Sequence, residues 1–325
     1  MTGGTGFVGT WLGEAFAWVN RRLALDASAV LLTRDPARFA ARAPHLAADP
    51  AFRFVTGSAT AFAPPAGTFR FVIHAATEAP VPATPQRPAA MLDDDVAATR
   101  RVLDFARAAG TERLLFTSSG AAYGPQPPEV YGVAETSLSG PATTDTHAAY
   151  GHGKRFSEFL CATYARQFGI AIPIARLFAF VGPHLPLDAN YAVGNFIGDV
   201  LAERPIAIGG DGTPYRSYLY ASDLARWLWT ILVAGESARI YNVGSGEAVS
   251  IRELAQAVAE TLAPQTRITI AKDPVPGVPA ARYVPAVERA ATELGLRPVV
   301  SLRAGIRRTA EWHRAIRSGA ISTNG

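Results

Sequence analysis

The sequence of 325 residues contains a single cysteine, Cys161, and only six histidines. One cysteine excludes an internal disulfide framework and is typical of a protein in a reducing compartment. The histidines are scattered, without cysteine or carboxylate partners at the spacing of metal ligands, so we expect no metal site. These absences favour a cytoplasmic protein.

Long hydrophobic runs and clusters of basic residues are also lacking. The most apolar window, 224–234, carries Arg226 and is too short to span a bilayer, and we expect no signal peptide. The pI of 9.4 reflects a small excess of arginine at a net charge of +4, without a basic run. We therefore expect neither a membrane nor a nucleic acid as a partner.

Apolar residues are plentiful and follow an alternating order of strand and helix patterns. Hydrophobic residues make up 49% of the chain, enough for a large core in one large or two closely joined domains. In the first half, helices are predicted at 7–20, 36–48 and 89–109, and strands at 29–32, 52–56, 69–74 and 113–118. The alternation predicts an α/β fold with a doubly wound parallel sheet covered on both faces.

Beyond Gly182 the pattern becomes less regular and predicts a smaller lobe. Helices are expected at 191–202, 222–233, 251–262 and 301–314, and strands at 206–208, 239–243 and 267–270. We divide the chain into a nucleotide-binding domain, residues 1–182, and a mainly substrate-binding α/β lobe, residues 183–325, from which segments can return to the first domain. The proline-rich stretch 80–88 is predicted to be a loop at the carboxyl edge of the sheet, where such folds bind ligands.

A glycine-rich loop opens the chain. Gly3, Gly6 and Gly9 let the backbone turn tightly and approach a pyrophosphate, and Phe7 and Val8 begin a helix whose amides and dipole favour phosphate. The loop therefore predicts a dinucleotide-binding, Rossmann-type sheet. A buried central strand normally precedes such a loop, so we expect that the start is assigned too late and that roughly five to seven strand residues are absent.

The choice of cofactor depends on residues near position 34. About 20 residues past the loop, an acidic side chain would bind the ribose hydroxyls of NAD. Arg34 stands there, and a guanidinium suits a 2′-phosphate, which favours NADP(H). If Asp35 takes the acid's role instead, NAD(H) is the alternative.

Tyr150 and Lys154 form a second motif. Residues four apart on a helix share a face, so the phenol and the ammonium point the same way. A tyrosine with its ordinary pKa of about 10 is a poor base at neutral pH, and a nearby lysine favours the phenolate. Ser119, at the end of the strand 113–118, can hydrogen-bond a substrate oxygen at the same edge. Thr117 lies beside it at the cofactor edge.

These motifs together resemble the extended short-chain dehydrogenase/reductase family, and more narrowly its nucleotide-sugar epimerase/dehydratase branch. The resemblance rests on the glycine loop, on Ser119 within the run 117–124, and on Tyr150 and Lys154 followed by Glu158. Segments 74–76, 182–183, 209–223 and 294–306 resemble further parts of that family, so the likeness covers almost the whole chain.

The resemblance implies a transient oxidation at a sugar carbon, usually C4. Tyr150 would take the proton from the sugar hydroxyl while a hydride passes to the nicotinamide, Ser119 would hold the oxygen, and Lys154 would bind the nicotinamide ribose and lower the pKa of the phenol. The remaining residues implied to touch cofactor or substrate are the turn His74, Ala75 and Ala76, facing the cofactor, and Arg216 and Arg282, binding the diphosphate of a nucleotide sugar. Helices 89–109 and 146–168 would pair in a homodimer.

Five positions depart from the family pattern, and one of them is Ser58, where an acidic residue is usual. Gly120 and Ala121 stand where tyrosine-assisted 4,6-dehydratases carry an Asp-Glu pair, and Ala179 and Asp95 each replace a usual asparagine. We therefore favour an NAD(P)-dependent nucleotide-sugar 4-epimerase or 4-ketoreductase. The alternatives are a nucleotide-sugar 4,6-dehydratase, a non-sugar carbonyl reductase and a non-catalytic nucleotide-binding protein.

Overall fold

The computed structural model describes residues 1–77, 87–189 and 191–319. The helices are α1 (Phe7–Leu23), α2 (Pro36–Arg42), α3 (Pro44–Ala47), α4 (Pro88–Ala108), α5 (Ala149–Phe168), α6 (Ala192–Leu201), α7 (Ala221–Ala234), α8 (Ile251–Leu262), α9 (Glu288–Leu294) and α10 (Leu302–Arg317). The strands are β1 (Ala29–Thr33), β2 (Phe52–Thr56), β3 (Phe71–His74), β4 (Arg113–Ser119), β5 (Ile174–Leu177), β6 (Ala179–Val181), β7 (Ile206–Ile208), β8 (Tyr215–Arg216), β9 (Tyr218–Tyr220), β10 (Ile240–Val243), β11 (Val249–Ser250), β12 (Ile268–Ile270) and β13 (Arg282–Tyr283).

A parallel sheet forms the larger part of the molecule. On one side β2 pairs with β1, and on the other β3, β4, β5 and β10 pair in that order. Thr2 lies between the two halves and bridges in parallel to Leu32 of β1 and His74 of β3. The strand order reverses at Thr2, so a crevice opens there at the carboxyl ends of the strands. The predicted doubly wound, Rossmann-type fold is confirmed.

Hydrogen bonds on both sides hold Met1 and Thr2 in this central position. The Thr2 amide donates to the carbonyl of Ile73 at 2.9 Å, and the Leu32 amide donates to the carbonyl of Met1, also at 2.9 Å. A cavity of about 40 Å³ borders Met1, and apolar side chains such as Val72 line it. The glycine loop therefore follows directly from the middle of the sheet.

Successive side chains of β4 point to opposite faces of the sheet and pack against helices on both faces. Leu115 faces α1 and α7 and packs in a cluster with Leu12 and Trp227. Leu114 points to the other face, where it joins the side chains of α4 and α5, including Leu160. Both faces of the sheet are thus buried, as expected of a parallel sheet.

The second lobe has a hydrophobic core of its own. Helices α6, α8 and α10 pack with the short strands β6, β7 and β9, and Ile197, Leu254 and Ile306 are fully buried among them. The chain does not stay in this lobe, because α7 packs on α1 and β10 adds to the large sheet beside β5.

One predicted helix is wrong in part. The pattern over 36–48 predicted a continuous helix, but the structure has α2 and α3, separated at Ala43, whose φ of −140° and ψ of 65° are not helical. Pro44 explains the break, because a proline disfavours helical geometry in the residue before it. The other predicted helices and strands are present with small shifts at their ends. Of the predicted loop 80–88, residues 80–86 lie outside the described residues, and Pro88 begins α4.

Candidate active site

A cleft of about 940 Å³ lies at the carboxyl ends of the sheet strands, between the sheet and the second lobe. Most of the predicted site residues line it. They are Gly3, Gly6, Phe7, Val8, Arg34, Ala75, Ala76, Thr117, Ser119, Tyr150, Lys154 and Arg216. Residues chosen from six separate stretches of sequence thus line one cleft.

The glycine loop closes one end of the cleft. Gly3 has a φ of +66°, and a Cβ there would lie 2.5 Å from the carbonyl carbon of Ala75. Gly9 does not line the cleft but packs beneath the loop. A Cβ added at Gly9 would come within 2.2 Å of the Gly3 carbonyl oxygen. Because both positions exclude a side chain, the backbone and the N-terminus of α1 stay open toward the cleft, a cradle that fits a dinucleotide phosphate.

His74 and Arg282 are placed away from the cleft. The His74 imidazole is buried between the hydroxyls of Thr2, at 2.8 Å, and Thr99, at 3.2 Å. Burial, followed by the charge of Lys154, lowers the pKa of His74 to about 3, so the ring is neutral at ordinary pH. The Arg282 guanidinium stacks 4.4 Å from the ring centroid of Tyr215 and is not among the lining residues of the cleft.

Tyr150 and Lys154 face the cleft from the first turns of α5. The Lys154 ammonium lies 5.6 Å from the centroid of the Tyr150 ring and 3.2 Å from Oδ1 of Asp95 on α4. Burial by itself lowers the pKa of Lys154, but the neighbouring Tyr150 and Asp95 raise it, and the net pKa lies above its ordinary value. The Lys154 side chain is therefore a charged ammonium at neutral pH.

Ser119 ends β4 and presents its hydroxyl to the same space. Its Oγ accepts a hydrogen bond from the Ala121 amide at 3.1 Å and lies 3.4 Å from the hydroxyl oxygen of Tyr283. Thr117 instead donates to the carbonyl of His74 at 3.2 Å, which ties β4 to β3 at the edge of the cleft.

A buried ion pair braces the strands under this site. Arg176 of β5 donates two hydrogen bonds to the carboxylate of Glu158 on α5, and Ser118 donates a third to the same carboxylate. The network joins α5 to β4 and β5, so it fixes the helix that carries Tyr150 relative to the strand that carries Ser119.

Tyr283 was not predicted from the sequence. Its ring packs 4.8 Å from that of Phe178 and 5.7 Å from the guanidinium carbon of Arg216. Burial raises the pKa of the phenol to about 12, so it is a neutral hydrogen-bond donor. A Cβ at position 120 would lie 2.7 Å from the Tyr283 hydroxyl, and Gly120 therefore makes room for this ring. The only signal in the sequence was that small residue after Ser119.

The wall near β1 is basic. Arg34, Arg38 and Arg42 all line the cleft there. Oδ1 of Asp35 accepts a hydrogen bond from the Arg38 amide at 2.9 Å and so caps α2. Arg42 donates to the carbonyl of Thr5 in the glycine loop and to the hydroxyl of Thr10 on α1, which attaches α2 to the loop and to the helix that follows it.

Within the described segments, no group of three or more His, Cys, Asp or Glu side chains is placed to hold a metal ion. None of the helices in those segments combines the length and the apolar character needed to cross a membrane. The side chains that line the cleft include the phenol of Tyr150, the ammonium of Lys154 and the guanidinium of Arg216.

Solved structures with this fold include several nucleotide-sugar enzymes. UDP-glucose 4-epimerase from Thermotoga maritima superposes with a TM-score of 0.79 at 21% identity, covering 96% of this chain and 97% of that one. A dTDP-glucose 4,6-dehydratase from Streptomyces venezuelae, solved with NAD bound, gives 0.79 at 24% identity, covering 98% and 97%. At these identities the likeness establishes the fold alone.

Sequence similarity identifies the family. UDP-glucuronic acid decarboxylase 6 of Arabidopsis thaliana is 32% identical over 219 residues, 67% of this chain and 62% of that protein. UDP-glucuronic acid decarboxylase 1 of Danio rerio is 29% identical over 241 residues, 74% of this chain and 56% of its own length. The matches thus span about three fifths of these relatives. The model of the NAD dependent epimerase/dehydratase family matches residues 1–244, and the chain belongs to that family.

Proposed function

We propose that this protein is an NAD(P)-dependent oxidoreductase that acts at one carbon of a nucleotide sugar, as a 4-epimerase or a 4-ketoreductase. The observation that carries the proposal is the single cleft shared by the glycine loop, Ser119, Tyr150 and Lys154. A cradle for phosphate and a phenol beside an ammonium in one space are what hydride chemistry at a hydroxyl-bearing carbon requires.

Each side chain has a role that follows from its position. Tyr150 exchanges a proton with the sugar oxygen, and the Lys154 ammonium stabilises the phenolate that forms. Ser119 donates a hydrogen bond to that oxygen and holds it near the phenol. A bound nicotinamide would supply or accept the hydride. The second lobe, residues 183–325, would cover the sugar and the nucleotide.

NADP(H) is the cofactor that the basic wall favours. Arg34 and two further arginines line the cleft where a ribose 2′-phosphate would lie. Asp35, which would bind the ribose hydroxyls of NAD, already uses its carboxylate to cap α2. Arginine offers several charge-assisted hydrogen bonds to a phosphate, so these three side chains favour a cofactor with a 2′-phosphate over one with an uncharged 2′-hydroxyl.

Arg216 is the candidate for binding the substrate diphosphate. It lines the cleft from β8 and stacks on Tyr283, which in turn contacts Ser119. A diphosphate on Arg216 would therefore place the attached sugar toward the catalytic hydroxyls. Arg282 remains a weaker candidate, since its guanidinium is stacked on tyrosine rings outside the cleft.

The names of the relatives favour a second candidate, decarboxylation of UDP-glucuronic acid. In that reaction the oxidised sugar loses carbon dioxide before the hydride returns. A 4,6-dehydratase is less well supported, because Gly120 and Ala121 cannot move the protons that loss of water requires.

A panel of substrates tests these proposals. The protein is incubated with UDP-glucose, UDP-glucuronic acid, UDP-N-acetylglucosamine, dTDP-glucose and the ketosugar dTDP-4-keto-6-deoxyglucose, with NAD⁺, NADP⁺, NADPH or no added cofactor, and the products are identified by mass and NMR. Epimerisation or reduction supports the main proposal, and loss of carbon dioxide supports the second. Unchanged substrates under every condition contradict both, and the Tyr150→Phe protein serves as the inactive control.

We also propose a cytoplasmic homodimer formed through α4 and α5. The outer face of α5 exposes Phe156 and Phe159, whose side chains are 45% and 64% exposed and whose ring centroids lie 6.2 Å apart. Two adjacent exposed aromatic rings on a long helix are typical of a surface that a partner covers.

A further inference from the structure

Asp95 and Lys154 form an ion pair inside the protein. Oδ1 of Asp95 lies 3.2 Å from Nζ of Lys154, and the two residues are 6% and 1% exposed. The second carboxylate oxygen of Asp95 has no hydrogen-bond partner among the described residues. The carboxylate is therefore committed to the lysine that faces Tyr150.

Such a pair changes the field that Tyr150 experiences. A lone ammonium 5.6 Å from the ring of the half-buried Tyr150 would stabilise the phenolate. An adjoining carboxylate cancels much of that effect, because the pair has no net charge and acts at a distance only as a dipole.

Other titratable groups near Lys154 do not supply a compensating charge. His74 on β3 is neutral, because burial lowers its pKa to about 3. Burial raises the pKa of the Cys161 thiol on α5, so that group is neutral too. Glu158, also on α5, is paired with Arg176.

Among the described residues, two further phenols interact electrostatically with Tyr150, in addition to Lys154. Tyr191 precedes α6 and Tyr283 lies on β13, and burial raises the pKa of both, so they are uncharged at neutral pH. Among the described residues that face this pair of side chains, Asp95 is thus the anion that opposes Lys154.

We propose that Asp95 is a positioning residue that offsets the charge of Lys154 and so keeps Tyr150 protonated over a wider pH range than an uncharged residue would. The proposal rests on the proposed function, in which Tyr150 exchanges a proton with the substrate. A protonated phenol is the form that donates to a carbonyl oxygen, so the pair favours the direction in which a ketone is reduced.

The test separates the charge of Asp95 from its shape. Asp95→Asn keeps an oxygen for Lys154 and removes the negative charge, while Asp94→Asn makes the same change at the exposed neighbour on α4. Tyr150 is titrated by the ultraviolet absorbance of tyrosinate, as the difference between each protein and the same protein carrying Tyr150→Phe. We expect the titration midpoint of Tyr150 to fall by roughly one pH unit in Asp95→Asn and to stay unchanged in Asp94→Asn.

An unchanged midpoint in Asp95→Asn, or an equal fall in Asp94→Asn, overturns the proposal. If Asp95→Asn does not fold, Asp95→Ser removes the same charge with a smaller side chain and must shift the midpoint in the same direction. The titration needs no turnover, so it gives its answer even if the substrate panel yields no product. Once a substrate is known, the limb of kcat/KM against pH that reports Tyr150 must move with the midpoint, and this is the alkaline limb when a ketone is reduced and the acid limb when a hydroxyl is oxidised.

Discussion

The hydroxyl oxygens of Ser119 and Tyr283 lie 3.4 Å apart, although the two residues are 164 positions apart in sequence. Tyr283 also stacks on Arg216, so one phenol touches both the end of β4 and the candidate diphosphate site. Tyr283 therefore links Ser119, the proposed holder of the substrate oxygen, to Arg216, the proposed diphosphate site.

Tyr283→Phe should therefore remove the hydrogen bond between the Tyr283 hydroxyl and Ser119 Oγ without unfolding the second lobe. Removing one hydrogen bond of about 1 kcal/mol lowers kcat/KM by roughly fivefold, and the stacking on Arg216 is kept. Steady-state kinetics on the substrate found in the panel measure the effect. Tyr131→Phe, at an exposed tyrosine outside the cleft, is the matched control and should leave kcat/KM as it was.

Tyr150→Phe should abolish turnover while cofactor binding persists. In the proposed mechanism the phenol is the group that moves the proton, and loss of such a group costs about 100-fold to 10,000-fold in rate. Fluorescence titration with NADPH measures binding separately. A variant that still turned over at the wild-type rate would remove Tyr150 from the mechanism.

Arg34→Ala should weaken NADPH binding by about tenfold to 100-fold and leave NADH binding nearly unchanged. A hydrogen bond between charged groups contributes about 1.5–3 kcal/mol, and only NADPH carries the 2′-phosphate. Calorimetric titration of both cofactors checks this. Arg53→Ala removes an exposed arginine of β2 and should alter neither affinity. Equal losses for NADPH and NADH would argue against the 2′-phosphate site.

His74 should make the fold sensitive to acid. Its pKa falls from 6.5 in the unfolded chain to about 3 in the folded protein, because burial disfavours the imidazolium. Above pH 6.5 the His74 ring is neutral in both states and does not lower the free energy of unfolding. Below pH 6.5 the unfolded chain binds a proton on His74 that the folded protein does not bind until about pH 3. The free energy of unfolding then falls by about 1.4 kcal/mol per pH unit from this residue.

Urea unfolding between pH 7 and pH 4 measures that slope. His74→Gln should reduce the slope, whereas His147→Gln, at an exposed histidine, should not. A slope that is the same in all three proteins would show that the His74 ring does not resist protonation.

Phe159→Asp should convert the proposed dimer to a monomer. A charge on the exposed aromatic face of α5 would have to be buried unpaired in the interface, which costs several kcal/mol. Sedimentation velocity reports the change. Val233→Asp places a charge on an exposed apolar position of α7 and should leave the dimer intact. A dimer that survived Phe159→Asp would have to use another surface.

The sequence predicted the parts of the site that local patterns encode. Gly3, Tyr150 and Lys154 could be placed because glycine spacing and helix periodicity act over a few residues. Ser119 followed from its place at the end of a strand. All four line the cleft, although their chemical roles stay predictions.

The parts that were missed depend on contacts between distant segments. On the short strand β13, neighbouring side chains point to opposite faces, so Tyr283 reaches the cleft while Arg282 points away from it. Asp95 and its ion-pair partner Lys154 are 59 positions apart in sequence, and nothing in their spacing reveals that contact. The break before Pro44 was readable in principle, but the apolar pattern that continues across it suggested one helix.

The return of α7 and β10 to the large sheet limits how this protein can be divided. A fragment ending at residue 182 would leave β5 as a bare edge and would uncover the apolar face of α1 that α7 buries. The two halves are therefore not interchangeable modules, and a graft of a foreign substrate lobe would have to keep 221–243 in place. Any change of specificity by recombination must insert its new segments on either side of that span.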